Sequence, residues 1–311
     1  MRITEDGWKI AILGDPHLGR AFIHGVPLAR RGEREASVWM DFAWSLSEVG
    51  LDYHVNMGDL FDKWMVSFDV IMRAAILYME TAEQNPDTTY IILKGNHDWI
   101  KDLERKSAFD VFDAIVSRCD NIKVITETTR HFNLLFCPWH PTKSAHEEVS
   151  KFEGVKVAFG HWDTAFSDHN MVPTEAGVPK LYTGHVHKPA TFTRDGTEVI
   201  GVGSMQPYAH GEEVNDDLYI TLSEEQFQDQ KLEDLKNKCV RLLFPYDGEL
   251  DCLQLTIKRE KEELDDDSTV TLGDFDMDAL FRRAFSEADV SPAITEKVLA
   301  QFQTRRVADA A

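Results

Sequence analysis

Cysteine is scarce, and basic residues are outnumbered by acidic ones, in this chain of 311 residues. Its four cysteines, Cys119, Cys137, Cys239 and Cys252, form no C-x-x-C pair. That spacing argues against a disulfide framework and a thiolate zinc site, and points to a reducing compartment. No apolar run approaches the ~18 residues of a membrane span; the best candidate, residues 70–79, is broken by Arg73. The opening MRITEDGWKI has no apolar stretch of the signal-peptide kind and carries acids early, so a cytoplasmic location and no membrane contact are expected. Lys and Arg number 33 against 54 Asp and Glu, a net charge of −21. Such a chain repels polyanions at long range, so a nucleic-acid role requires a local positive focus or a basic partner.

What is present is ordinary globular composition, 43% hydrophobic and 28% charged, which excludes disorder as the dominant state. Over the first two hundred residues, a short apolar run leads to Gly and then to Asp, Asn or His five times. Ile10–Leu13 leads to Gly14-Asp15-Pro16-His17, Tyr53–Met57 to Gly58-Asp59, and Tyr90–Leu93 to Gly95-Asn96-His97-Asp98. Val155–Phe159 leads to Gly160-His161, and Leu181–Thr183 to Gly184-His185-Val186-His187. Short runs rich in Ile, Val, Tyr and Leu and bounded by turn residues read as buried strands. Helical periodicity over 34–48 (Trp39, Phe42, Leu46, Val49), 68–82 (Val70, Ala74, Leu77, Tyr78) and 103–118 (Leu103, Val111, Ile115, Val116) lies between them. Strand–helix alternation predicts an α/β fold with partly parallel strands, and such sheets bind ligands beyond the carboxyl ends of their strands. The five corners are therefore expected on one rim.

Composition shifts near residue 210, with net charge −8 over 1–210 and −13 over 211–311. Leu218–Leu222 reads as one more strand of the main domain, and the polar stretch 228–238 as a linker. Strands are expected at Val240–Phe244 and Leu253–Ile257, then an acidic loop at Glu262–Asp267 and two helices, the second starting at Ser291-Pro292. The expected boundaries are 1–225, 226–270 and 271–311.

The corners supply seven O or N donors and no sulfur: Asp15, His17, Asp59, Asn96, His161, His185 and His187. This set suits Mn²⁺, Fe²⁺ or Zn²⁺ and is too rich in histidine for a pure Mg²⁺ or Ca²⁺ site. If Asp59 bridges, two metals receive four protein ligands each, and such a pair can clamp a phosphate and activate water. His97 follows a ligand directly, so it is expected to face the substrate, stabilising phosphoryl charge or protonating the leaving oxygen. Asp98 is expected to orient His97, and Asp62 to support the ligands from outside. Basic residues follow four corners, Arg20, Lys63, Lys101 and Lys188, and are candidates for contacts with phosphates. Arg30, Arg31 and Arg34 either line the same path or flank a helix start.

The ordered motifs D-x-H, G-D-x-x-D, G-N-H-D, G-H and G-H-x-H resemble the calcineurin-like metallophosphoesterase superfamily over roughly residues 8–222. Asp15-Pro-His-Leu-Gly19 and Gly58-Asp-Leu-Phe-Asp62 are similar to the SbcD-type nucleases. Pro138-Trp139, Gly160-His-Trp162 and Gly203-Ser204 with Glu212 look closest to phage recombination nuclease subunits of that group. The resemblance implies a layered αββα sandwich followed by a small capping region and helices that dock an SbcC-like ATPase. It implies two Mn²⁺ ions, one on Asp15, His17, Asp59 and His187 and the other on Asp59, Asn96, His161 and His185. His97 matches the catalytic histidine. The implied activity is a Mn²⁺-dependent DNA exonuclease with single-strand endonuclease activity, working as a homodimer in recombination and repair. The rival within the superfamily is a protein phosphatase or nucleotide pyrophosphatase, which the D-x-H-L-G and G-H-W motifs disfavour. A non-catalytic scaffold would show eroded ligands, and all seven are present.

Overall fold

The computed structural model describes residues 1–257, apart from 101, 103, 104, 166–168, 214 and 216, together with Thr295 and Glu296. Met1–Arg259 is one compact unit, and Glu260–Ala311 is a second. The acidic loop and the first C-terminal helix expected from sequence lie outside the described residues, as does the second helix apart from Thr295 and Glu296.

The first sheet contains β1 (Arg2–Glu5), β2 (Trp8–Leu13), β3 (Tyr53–Asn56), β4 (Thr89–Leu93) and β5 (Ile122–Ile125) in that spatial order. β2 to β5 are parallel, and β1 closes the edge as an antiparallel hairpin. The second sheet contains β6 (Thr129–His131), β7 (Leu134–Cys137), β8 (Val157–Gly160), β9 (Lys180–Thr183), β10 (Ala190–Arg194) and β11 (Thr197–Gly201), in the order β10-β11-β9-β8-β7-β6. Its four central strands are parallel and its two edges antiparallel.

Side chains alternate faces along a strand, so a run that is apolar throughout must be covered on both sides. Ile91 and Leu93 of β4 join Ile10, Ile12, Val55, Leu134, Phe136, Val157 and Phe159 between the sheets. Tyr90 and Ile92 of the same strand face the helices instead. Those helices are α1 (Glu33–Leu46), α2 (Phe68–Gln84) and α3 (Ala108–Val116), burying Phe42, Tyr78, Phe109 and Phe112. On the far side, Leu135, Ala158, Trp162 and Leu181 pack under α4 (Ala145–Ser150). The result is the layered αββα sandwich expected from the sequence.

Some local expectations shift. Val49 lies beyond the end of α1 and is 63% exposed. α3 starts at Ala108, where Ser107 and Asp110 form a reciprocal capping box that supplies the first free amides with acceptors. Leu218–Leu222 is not a strand of either main sheet. β12 (Tyr219–Leu222) pairs with β13 (Cys239–Leu242), which pairs with β14 (Gln254–Ile257), in a separate parallel sheet. The stretch 228–238 is not a free linker either. After the short α5 (Glu224–Gln228), Leu235 is fully buried with Leu222, Val240, Leu242 and Cys252. Its polar residues hid that single anchor. No helix among the described residues is long and apolar enough to cross a membrane.

Candidate metal centre

Register brings the corners together. Leu13 pairs with Asn56, and Asn56 with Ile92, at the carboxyl end of the first sheet. Cys137, Gly160 and Thr183 stand side by side at the same end of the second. Each corner then turns sharply. His17, Asp59 and His185 adopt left-handed backbone at φ 45°, 48° and 70°, costly for residues with a side chain and concentrated at functional sites. The glycines permit close approach: a methyl group on Gly95 would land on the backbone nitrogen and carboxylate of Asp59, and one on Gly58 on the His161 ring.

Three donor groups result among the described residues: one is His17, Asp62 and His97, and the other two are built only from the expected ligands. Asp15, His17 and His187 present ligating atoms within 4.8 Å of one another, and so do Asp59, His161 and His185. Asp59 Oδ2 lies 3.8 Å from His17 Nε2 and 3.4 Å from His161 Nε2, so its carboxylate stands between the clusters. Asn96 Oδ1 is 2.9 Å from both His161 Nε2 and His185 Nδ1. All seven donors expected from the sequence are thus in one place.

The chemistry of the set fits divalent cations. Nδ1 of His161 donates to the Met57 carbonyl at 2.8 Å, so Nε2 is the nitrogen turned toward the oxygens of Asn96 and Asp59, and it becomes a ligand on losing its proton. Nδ1 of His187 faces Glu212 Oε1 at 3.0 Å, and its Nε2 meets His17 Nε2 at 3.0 Å. Asp15 Oδ1 and His17 Nδ1 are buried without a hydrogen-bond partner. Lone pairs aimed at lone pairs, with the His161 and His187 rings anchored through their other nitrogens, are what a metal site requires. Charge agrees. Burial opposes a charge on His161, yet Asp59 and Asp15 outweigh it and lift its pKa to about 9. The field that holds that proton also favours a cation in its place, so metal binding releases protons. Burial holds His17 neutral down to about pH 3 and His185 to about 4, leaving both rings free to ligate. Burial raises Asp15 to about 6.

His97 is exposed at the mouth of the site, and its backbone N–H donates to Asp59 Oδ1 at 2.8 Å. Its Nδ1 stands 2.6 Å from the carbonyl oxygen of Asp62, which therefore orients the ring. Asp98 does not perform that task. Its buried carboxylate accepts from the amides of Gly95, Leu60 and Phe61 at 3.0, 3.2 and 3.1 Å, locking the two ligand loops together. Asp62 Oδ1 lies 3.9 Å from His17 Nδ1 and 3.6 Å from Arg20.

Arg20, Lys63, Trp64 and Trp99 line one groove of about 700 Å³ with Asn96 and His97. Lys188 is exposed beside His187, and Lys101 lies outside the described residues. The cluster Arg30, Arg31 and Arg34 does not act together. Arg34 is buried, donating to Gln206 Oε1 at 2.5 Å and to the Pro207 carbonyl at 3.0 Å, while Arg30 pairs with Glu33. Sequence reasoning missed Asp163, 3.8 Å from His185 Nε2, and Tyr208, whose ring packs 5.3 Å from that of His17. Neither sits in a Gly-polar corner, so spacing carried no signal for them.

A family model of the calcineurin-like phosphoesterases matches residues 9–189, and the chain belongs to that family. Membership makes it a metal-dependent hydrolase of phosphoesters. No curated protein matches the chain. Phosphopantetheinyl hydrolase (PptH) from Mycobacterium tuberculosis is similar in structure at 13% identity, over 64% of this chain and 93% of its own, with a TM-score of 0.35. The Pseudomonas putida nuclease MPE is similar at 11% identity, over 69% of this chain and 87% of its own, with a TM-score of 0.31.

Proposed function

We propose that this phosphoesterase cleaves DNA phosphodiesters as the nuclease subunit of an SbcCD-like ATPase–nuclease complex, with Mn²⁺ as its metal. One observation carries the choice of a nucleic-acid substrate: the groove that opens on Asn96 and His97 holds Arg20 and Lys63, two cations beside the donor clusters of a strongly acidic chain. The D-x-H-L-G motif and the extension beyond residue 222 support the more specific reading.

A bound metal pair supplies Lewis-acid polarisation of the phosphoryl group and activation of water. The protein's own residues do the rest. Asp59 stands between the clusters and fixes His97 through that residue's backbone amide. With Nδ1 held by the Asp62 carbonyl, His97 offers its other nitrogen to a phosphoryl oxygen or to the departing oxygen. Glu212 and the Met57 carbonyl set the rings of His187 and His161.

The test is Mn²⁺-dependent degradation of an end-labelled linear duplex, with hydrolysis of bis(4-nitrophenyl) phosphate run in parallel. Cleavage of both substrates supports the reading. Hydrolysis of the small diester with every DNA left intact, including in the presence of an SbcC-like ATPase, overturns it in favour of another phosphoesterase.

A further inference from the structure

We propose that the groove beside Asn96 and His97 is a stacking subsite for unpaired nucleobases, with Trp64 and Trp99 as its platforms. The inference rests on the DNA-cleaving reading and specifies which form of DNA enters the centre.

The two indoles share the groove with Arg20, Lys63 and the exposed His97. Each is held from outside it. Trp99 Nε1–H donates to the Trp139 carbonyl at 3.0 Å, the Lys94 ammonium sits 4.3 Å from its ring, and the His140 ring meets it edge-on at 5.2 Å. Lys94 is itself fixed by Asp110 at 2.6 Å. The Arg105 guanidinium lies 5.4 Å from the Trp64 ring, and the carbonyl of Trp64 accepts the Ala108 amide at the start of α3. The Trp99 ring is therefore set in place before any ligand arrives, and Trp64 is tied to the start of α3 through its backbone.

Rigid indoles interleaved with cations are the chemistry of single-strand binding: bases stack on the rings while Lys and Arg follow the phosphates. Every base has a π face, so such a subsite tolerates any sequence. A paired base offers no free face to an indole, so the groove selects strands that are single or frayed next to the cleaved bond. Asp62, 3.6 Å from Arg20, tempers the positive charge and leaves more of the binding to stacking.

The experiment uses the full chain with Ca²⁺ in place of Mn²⁺ and follows tryptophan fluorescence. The probes are single-stranded dT12, a twelve-nucleotide abasic oligomer and a twelve-base-pair duplex. The expected result is quenching by dT12, with the abasic oligomer and the duplex each bound at least about tenfold more weakly. Trp64→Ala and Trp99→Ala weaken dT12 by about 5- to 150-fold and leave the abasic oligomer unchanged. Trp64→Phe and Trp99→Phe retain most of the dT12 affinity, which separates stacking from a folding defect. Equal affinity for dT12 and the abasic oligomer, or wild-type dT12 binding by Trp64→Ala, overturns the proposal. Hydrolysis of bis(4-nitrophenyl) phosphate by the same proteins reports on the centre alone. A base-dependent affinity with no DNA cleavage, even when an SbcC-like ATPase is added, would thus sink the nuclease reading and leave the subsite standing.

Discussion

His97 and Asn96 are neighbours in the chain with opposite tasks. Asn96 turns its oxygen toward two imidazoles, while His97 turns outward and is held by the Asp62 carbonyl. His97→Ala should therefore keep its metals and lose about 10²- to 10⁴-fold in turnover. Metal stoichiometry measured beside the cleavage rate checks this, and equal loss of both would show His97 to be a ligand instead. Asp98 predicts a different outcome. Its carboxylate satisfies three buried amides, and stranding buried donors costs about 1–3 kcal/mol each. Asp98→Ala should lose more than about 3 kcal/mol in urea unfolding; a loss below about 1 kcal/mol would contradict the loop-locking role. The seven donors were legible because a metal site demands particular elements at strand ends, and Gly-polar corners mark those ends. The duty of Asp98 was not legible. Its place after His97 suggests a side-chain pair, and only the fold shows that the amides of Leu60 and Phe61 reach it first.

The joins between elements carry two further predictions. His54 on β3 is buried against α1, its Nε2 donating to the Ser45 carbonyl at 3.1 Å while Nδ1 has no hydrogen-bond partner. Protonation would place a cation on that bare nitrogen, and burial depresses the pKa from 6.5 to about 4. A histidine depressed on folding stabilises fully above its unfolded pKa and loses that contribution as pH falls toward the folded one. Wild type should thus lose about 3 kcal/mol more than His54→Gln between pH 7 and pH 4. Parallel unfolding curves for the two proteins would show that the ring is solvated. Arg34 joins α1 to the loop that carries Glu212. Its guanidinium lies 4.7 Å from the Phe22 ring and 5.7 Å from that of Tyr219 on β12, with Gln206 and Pro207 as acceptors. Arg34→Met should loosen Glu212 from His187 and weaken Mn²⁺ binding by about 10- to 100-fold. Calorimetric titration of the folded variant measures it, and an unchanged affinity would confine Arg34 to packing. Most strands and helices could be read from period and punctuation, including the run Ile10–Leu13 before its Gly-Asp corner. The partner of β12 could not, because a four-residue strand buried at both ends suits any sheet, and long-range pairing decides which.

At the scale of the whole molecule, the proposed nuclease reading makes charge decide how the site would meet DNA. The chain carries −21, and among the described residues the cations placed near the donor clusters are few: Arg20, Lys63, Arg105 and Lys188. One of them is already shared with Asp62. The logarithm of affinity for single strands falls with the logarithm of salt at about −0.7 per phosphate neutralised. Two to four contacts therefore predict a slope between about −1.5 and −3 for the isolated chain, with Lys63→Ala reducing it by ~0.7. Affinity for dT12 measured from 50 to 300 mM salt decides the matter. A slope steeper than about −5 would require more phosphate contacts than these residues supply, and would place DNA along a path other than this groove. If the slope is shallow alone and steepens when an SbcC-like ATPase is added, the partner supplies the positive surface that this acidic chain lacks. On the proposed reading, this chain would then depend on that partner to hold duplex DNA, and its own groove would govern only the strand presented to the metals.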